Sequence, residues 1–344
     1  MKRIFCAVMV LLLLSEASSC APRDADARMQ AAVEKYASAA GFEGVIVAFR
    51  DGKRFVSFAK GRLPDRSTIT SDTPMPVGSI SKQFCAAAVL LLQDQGKLRI
   101  TDTLDRFYPD YPEGGRVQLK HLLSMRSGIP ENLSEDGLAV ISPENTEEEN
   151  LSAIKEWIFS RPLAYMPGSF FQYCNANYIL LADIVEQVSG KAYLDFLREN
   201  FFVPLGMTHT GSFGGPVSFF QKTGTAMDPA YDLLNMQPGL AKGAGDLVSN
   251  AEDIRLWLEA LSGGKLLSEE SWRAMTTDYS PEEHSYGFGL RQDLPDGIGH
   301  YGVINIYNSC DYINLKNGLT VFLVSTNVVS IEEFSEGLLS LLLS

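Results

Sequence analysis

Strand-type sequence sits near both ends of this chain and is missing from its middle, which limits the folds open to it. Near the front, Gly44-Val45-Ile46-Val47-Ala48-Phe49, then Asp51-Gly52, then Arg54-Phe55-Val56-Ser57-Phe58 reads as a hairpin about an Asp-Gly turn. Toward the back, strands are predicted near 285–292, 298–307, 310–315 and 319–326. The stretch from about 100 to 245 is helical and broken by Pro and Gly. Its clearest helices are Thr146 to Phe159, with acids in the first turn, and Tyr178 to Ser189, closed by Gly190. Further helices are expected at Ala27 to Ala40, Ser79 to Gln95, Ala251 to Leu261, Ser268 to Thr276 and from Ile331 onward, with residues 22–28 as a polar tether. The order predicts an α/β (α+β) chain whose antiparallel sheet is assembled from the two ends, with a helical insertion between them.

With 344 residues, the chain exceeds what one core usually holds, so two lobes are expected. Its formal charge of −13 repels phosphate backbones and argues against a nucleic-acid partner. His121, His209, His284 and His300 are scattered and no Cys-x-x-Cys is present, so neither a metal site nor a cofactor is expected.

Lys2 and Arg3 precede the apolar run Ile4 to Leu14, followed by Ser15-Glu16-Ala17-Ser18-Ser19-Cys20. This is the order of a bacterial secretory signal, residues 1–20, with an apolar run shorter than the roughly 20 residues that span a bilayer. Ala17-Ser18-Ser19-Cys20 also resembles a lipobox, which would attach the chain to a membrane through a lipidated Cys20; plain cleavage near Ala17 or Cys20 is the alternative. The expected location is the periplasm or cell envelope. Cys85, Cys174 and Cys310 are then an odd three, so at most one disulfide forms.

Three Ser-x-x-Lys quartets occur: Ser57…Lys60, Ser79…Lys82 and Ser152…Lys155. The first lies on a strand, where i and i+3 face opposite ways. The second of its fellows, Ser152…Lys155, lies mid-helix in acidic surroundings and reads as a solvated face. Ser79…Lys82 opens the most apolar helix, where i and i+3 share a face and helix-start N–H groups surround the serine. A nearly buried Lys82 could be neutral near pH 7 and take the hydroxyl proton. A simple N-cap at Ser79 beside a solvated Lys82 is the bland alternative.

Tyr173-Cys174-Asn175 follows 94 residues after Ser79, and His300-Tyr301-Gly302 lies on a predicted strand. With these three motifs in order, the chain resembles the serine β-lactamase and penicillin-binding protein superfamily, in its class C β-lactamase, DD-peptidase and esterase branch. Val77-Gly78-Ser79-Ile80-Ser81-Lys82-Gln83-Phe84, Ser127-Gly128-Ile129-Pro130, Pro204-Leu205-Gly206-Met207 and Gly243-Ala244-Gly245-Asp246 carry the same likeness. The resemblance implies a β-lactamase/transpeptidase-like fold. An α/β lobe would hold 27–82 and 246–344, a helical lobe 83–245, and the active site would lie between them.

It also implies roles. Ser79 would attack an amide, lactam or ester carbonyl and form an acyl-enzyme, with Lys82 and Tyr173 sharing the proton work. A charged Lys82 would lower the Tyr173 pKa from about 10. Asn175 would bind the substrate amide and orient Lys82, and the N–H groups of Ser79 and Val303, beside Gly302, would form the oxyanion hole. His300 would line the opposite wall.

Departures from the family pattern include Tyr301 in place of Thr, Val303-Ile304-Asn305-Ile306-Tyr307 in place of a Gly-rich loop, Met125-Arg126 and Cys174. Tyr301 is expected to stand as a bulky group beside the cleft. The main expectation is an exported serine hydrolase (β-lactamase, D-Ala-D-Ala-type peptidase or esterase) acting on a small-molecule or peptide substrate. The alternative is a catalytically weak envelope protein that binds a peptide or cell-wall fragment in the same cleft.

Overall fold

The computed structural model describes residues 22–63, 66–212, 239–281, 284–327 and 330–344. The signal segment 1–20, Cys20 included, lies outside the described residues.

Helix α1 runs Pro22–Ala39. It takes in the residues expected as a tether, because a proline at the first position and an acid, Asp24, in the first turn both favour helix initiation there. Strands β1 (Gly44–Arg50) and β2 (Lys53–Lys60) form the hairpin, with Asp51 and Gly52 both at positive φ in the turn. After a two-residue β3 (Met75–Pro76) comes helix α2 (Ser81–Asp94), preceded by a 3₁₀ turn, Gly78–Ile80. The middle contributes α3 (Leu119–Leu123), α4 (Glu147–Phe159) and α5 (Asn175–Ser189). Thr146 caps α4 in a capping box with Glu149, and Gly190 ends α5 in the left-handed conformation. Then follow β4 (Gly211–Ser212), β5 (Leu247–Ser249), α6 (Ala251–Ser262), α7 (Glu269–Thr276), β6 (Gly297–Ile304), β7 (Tyr307–Asn314), β8 (Thr320–Ser325) and α8 (Ile331–Leu342).

The main sheet is antiparallel in the order β2-β1-β8-β7-β6, so the first and last strands pair at its centre. β1 shows why. Val45, Val47 and Phe49 enter the large core shared with α2, while Ile46 and Ala48 enter a second cluster with α1 and α8. A strand buried on both faces reads as a continuous apolar run, and each buried Val, Ile or Phe contributes about 1.5–3 kcal/mol. At one margin β2 carries Lys53, Arg54 and Lys60, charges that discourage pairing beyond it.

Two expectations about the back strands change. Residues 285–292 form no strand; Gly287 donates to the Leu290 carbonyl at 2.8 Å, and Gly289 adopts φ +67°. Tyr286, Phe288 and Leu290 alternate as in a strand, yet the glycines fold the segment into a turn that leaves isolated bridges at Tyr286 and Arg291. The run 298–307 is also cut, because Asn305 at φ +50° turns the chain and Tyr307 begins β7 opposite Ile304. Cys85, Cys174 and Cys310 are all free and buried. No helix among the described residues is long and apolar enough to cross a membrane.

Candidate active site

Ser79 lies in the 3₁₀ turn that leads into α2, not on the α-helix itself. Glycine at 302 lets β6 pass against this turn: a Cβ there would fall 2.1 Å from the Val77 carbonyl oxygen. Ser309 Oγ, from β7, donates to that same oxygen at 2.8 Å. Gly78 faces the Val303 nitrogen, which a Cβ at 78 would approach to 3.0 Å. The turn that carries Ser79 is thus packed directly against the Gly302-Val303 backbone of β6.

Lys82 Nζ lies 3.0 Å from Ser79 Oγ, 2.8 Å from Asn175 Oδ1 and 2.6 Å from the Ala244 carbonyl oxygen. The side chain is fully buried, and burial lowers its pKa to about 7 against the weaker opposing pull of Glu131. As a neutral amine, Lys82 has two N–H bonds and one lone pair. Asn175 and Ala244 accept the two N–H bonds, so the lone pair is left for the Ser79 hydroxyl. Asn175, the first residue of α5, is held by Glu131, whose Oε2 accepts from its backbone N–H at 2.6 Å and from Nδ2 at 3.3 Å.

Tyr173 stands beside this pair, its ring centroid 4.8 Å from Lys82 Nζ. Desolvation pushes its phenol well above 10, an effect the Ser79 hydroxyl opposes. The lowering expected from a charged Lys82 does not set the direction here; burial does.

His300 lines the cavity but is 3% exposed. Burial, with Lys82 adding to it, lowers its pKa to about 3. Its Nδ1–H donates to the Tyr301 carbonyl, so Nε2 accepts from the Tyr286 hydroxyl at 2.9 Å. A neutral imidazole offers no cation to a substrate carboxylate. Arg291 at the rim has its charge taken up by Asp293, 3.0 Å from Nε, and by Glu332, 3.1 Å from Nη1.

The cavity before Ser79 measures about 740 Å³ and is walled by Phe171, Tyr173, Tyr286 and His300 among others. Tyr301 stands beside this cavity, at its edge. It packs with Leu294 and Cys310 in the cluster beneath α1 and α8, with the Arg291 guanidinium 4.9 Å above its ring, and only borders the opening. Strand alternation turns it to the other face from His300. The departures at Met125-Arg126 and Cys174 serve packing. Arg126 ties the carbonyls of Gly168 (2.6 Å from Nη2) and Tyr279 (2.6 Å from Nη1), and Met125 Sδ accepts from the Cys174 N–H at 3.4 Å. Ser57 and Lys60 sit on β2, and Lys155 pairs with Asp183 at 3.1 Å, so neither other quartet forms such a site.

Glu131, Ala244 and Tyr286 belong to this constellation although sequence reasoning gave them no part in it. Glu131 follows the Ser-Gly-Ile-Pro phrase and Ala244 lies in the Gly-Ala-Gly-Asp phrase, the only signals available. Among the described residues no cluster of His, Cys, Asp and Glu could hold a metal ion.

The family model described as Beta-lactamase matches residues 28–342. A putative penicillin-binding protein, PbpX, of Bacillus subtilis (strain 168) is 29% identical over 303 residues, 86% of this chain and 73% of that protein. A D-aminopeptidase of Brucella anthropi is 27% identical over 272 residues, 76% of this chain; the chain spans about half (51%) of that longer protein. Among solved structures, D-amino acid amidase from Ochrobactrum anthropi SV3, complexed with D-phenylalanine, aligns with TM-score 0.75 at 22% identity, covering 94% of this chain and all of that one. A penicillin binding protein from Bacillus halodurans aligns with TM-score 0.74 at 21% identity, covering 90% and 98%. At these identities the structural likeness speaks to the fold: the β-lactamase/transpeptidase-like arrangement of antiparallel sheet and helices.

Proposed function

The chain belongs to the beta-lactamase family of serine hydrolases, and from that premise we propose that it cleaves amides or short esters through an acyl-enzyme on Ser79. One observation carries the reading: a buried lysine, its pKa lowered by burial to about 7, whose Nζ lies 3.0 Å from the Ser79 Oγ and is also bonded to Asn175 Oδ1 and the Ala244 carbonyl. In its neutral form it can turn its lone pair to the serine hydroxyl. Lys82 takes the Ser79 proton as Oγ attacks the carbonyl, and the backbone N–H groups of Ser79 and Val303 receive the oxyanion. The leaving group departs with a proton from Lys82, by way of Tyr173, and water then releases the acid by the same route.

The electrostatics narrow the substrate. With His300 neutral and Arg291 occupied by two carboxylates, the described cavity favours a neutral group over a terminal carboxylate. That supports an amide or ester of a D-amino acid ahead of a penicillin, in keeping with the names of the D-aminopeptidase and D-amino acid amidase it resembles. Residues 1–20 support export, and Cys20 attachment to the membrane, as part of the same proposal.

The test is to incubate the mature protein and its Ser79→Ala variant with D- and L-amino acid amides, p-nitrophenyl esters and a fluorescent penicillin. Ser79-dependent amide or ester turnover is expected, with little penicillin trapped. A wild-type protein whose serine is labelled by none of these and by no other acylating probe would sink the reading. Labelled palmitate entering the wild type and not Cys20→Ala tests attachment.

A further inference from the structure

Beneath the site lies a buried carboxylate that the mechanism above does not use. Asp311, on β7, is 0% exposed. Its Oδ1 accepts the backbone N–H of His300 at 2.7 Å, and both oxygens accept from Gln83 Nε2 at 2.8 Å. Gln83 follows Lys82 on α2, and its Oε1 accepts from Trp257 Nε1, on α6, at 2.9 Å. One carboxylate therefore bonds at once to the helix that carries Lys82 and to the strand that carries His300 and Val303.

We propose that Asp311 is a positioning residue for the hydrolysis: by joining Gln83 to the His300 backbone it sets the distance between the Ser79 turn and the Val303 N–H, and so the width of the oxyanion hole. The inference rests on the acyl-enzyme reading of the site. Its physical ground is the balance of donors. Two donors converge on Asp311, and a carboxylate is acceptor-only, with room for both. Burial drives the carboxyl pKa up to about 7, opposed by the bonds from His300 and Gln83, so this is a costly group to keep at such a place. The groups bonded to it, the Gln83 amide and the His300 backbone N–H, bring no compensating charge.

An exchange of donor and acceptor tests it. Asp311→Asn turns an amide donor toward Gln83 Nε2 or the His300 N–H, leaving one donor without a partner. Adding Gln83→Glu restores the match: Asn Oδ1 takes the His300 N–H, Asn Nδ2 donates to Glu, and Glu accepts from Trp257 Nε1. For a slackened oxyanion hole, kcat on a p-nitrophenyl ester should fall roughly 10- to 100-fold in Asp311→Asn at nearly unchanged KM. The double variant should recover most of that loss. Hydrogen exchange across residues 297–304 should quicken in the single variant and return in the double.

A wild-type kcat in Asp311→Asn would overturn the proposal. So would a double variant, folded by its circular dichroism, that is no faster than the single. If the wild type shows no Ser79-dependent turnover, the hydrolase reading itself fails, and the exchange data alone then decide whether Asp311 holds the strand. Unchanged exchange would refute even that.

Discussion

Gly289 lies so close to the Lys82 backbone that a Cβ built on it would fall 2.6 Å from the Lys82 carbonyl oxygen. The turn that replaces the expected strand is thus a buttress behind the helix that carries Lys82. Gly289 also has φ +67°, which costs an L-residue about 1–2 kcal/mol before any clash. Gly289→Ala should lower stability by at least that amount in urea melts. It should also reduce kcat, because the added methyl pushes against the helix segment that carries Lys82.

Lys82 gives the pH dependence its sign. If the neutral amine is the base, kcat/KM should rise about tenfold per pH unit below about 7 and level off above it. Tyr173→Phe should keep that acid limb while lowering the plateau. A limb that vanished with the phenol would transfer the base role to Tyr173.

Glu131 should tune the same limb. Its charge raises the Lys82 pKa against burial. Glu131→Gln removes that pull, so the acid limb should move to lower pH while the two bonds to Asn175 can still be accepted. A shift the other way in a pH–rate profile would show that Glu131 acts on another group.

Buried Lys82 should also weaken the fold. Its folded pKa of about 7 lies below the ordinary 10.5, so between those values the unfolded chain binds more protons. This contribution to stability is largest above 10.5 and is lost as pH falls toward 7. Lys82→Met has no such dependence. The Tm of the variant relative to wild type should therefore be higher at pH 6 than at pH 9, while serine acylation is abolished at both. Equal differences at the two pH values would mean that Lys82 titrates normally.

Local spacing made part of this legible. Ser79 and Lys82, three apart at a helix start, announce their meeting, and the Asp51-Gly52 turn announces the first hairpin. The long-range partners do not. Nothing in the spacing of Lys82 and Asn175, 93 residues apart, says that they touch; only the family resemblance suggested it. Ala244 contributes a backbone oxygen, a group every residue owns, so its side chain gives no signal. Asp311 sits in a strand where a carboxylate is unexpected, and its partners come from two other elements. Tyr286, Phe288 and Leu290 misled because two-residue alternation outweighed the glycines between them. Tyr301 was legible as a group beside the cleft, but its packing against Leu294 and Cys310 was not, because those partners lie elsewhere in the sequence.

The pairing of β1 with β8 has a consequence in time. Residues 44–49 wait for 320–325, and β6, which bears His300 and Val303, joins that strand through β7. A chain delivered from its front end holds Ser79 and Lys82 early, but the sheet that seats them closes only after a loop of more than 200 residues is drawn shut. Until then Val303, on β6, cannot stand against the turn that carries Ser79. On the proposed mechanism the chain is therefore latent while it is being made, and its reactivity should begin with the arrival of its final strands.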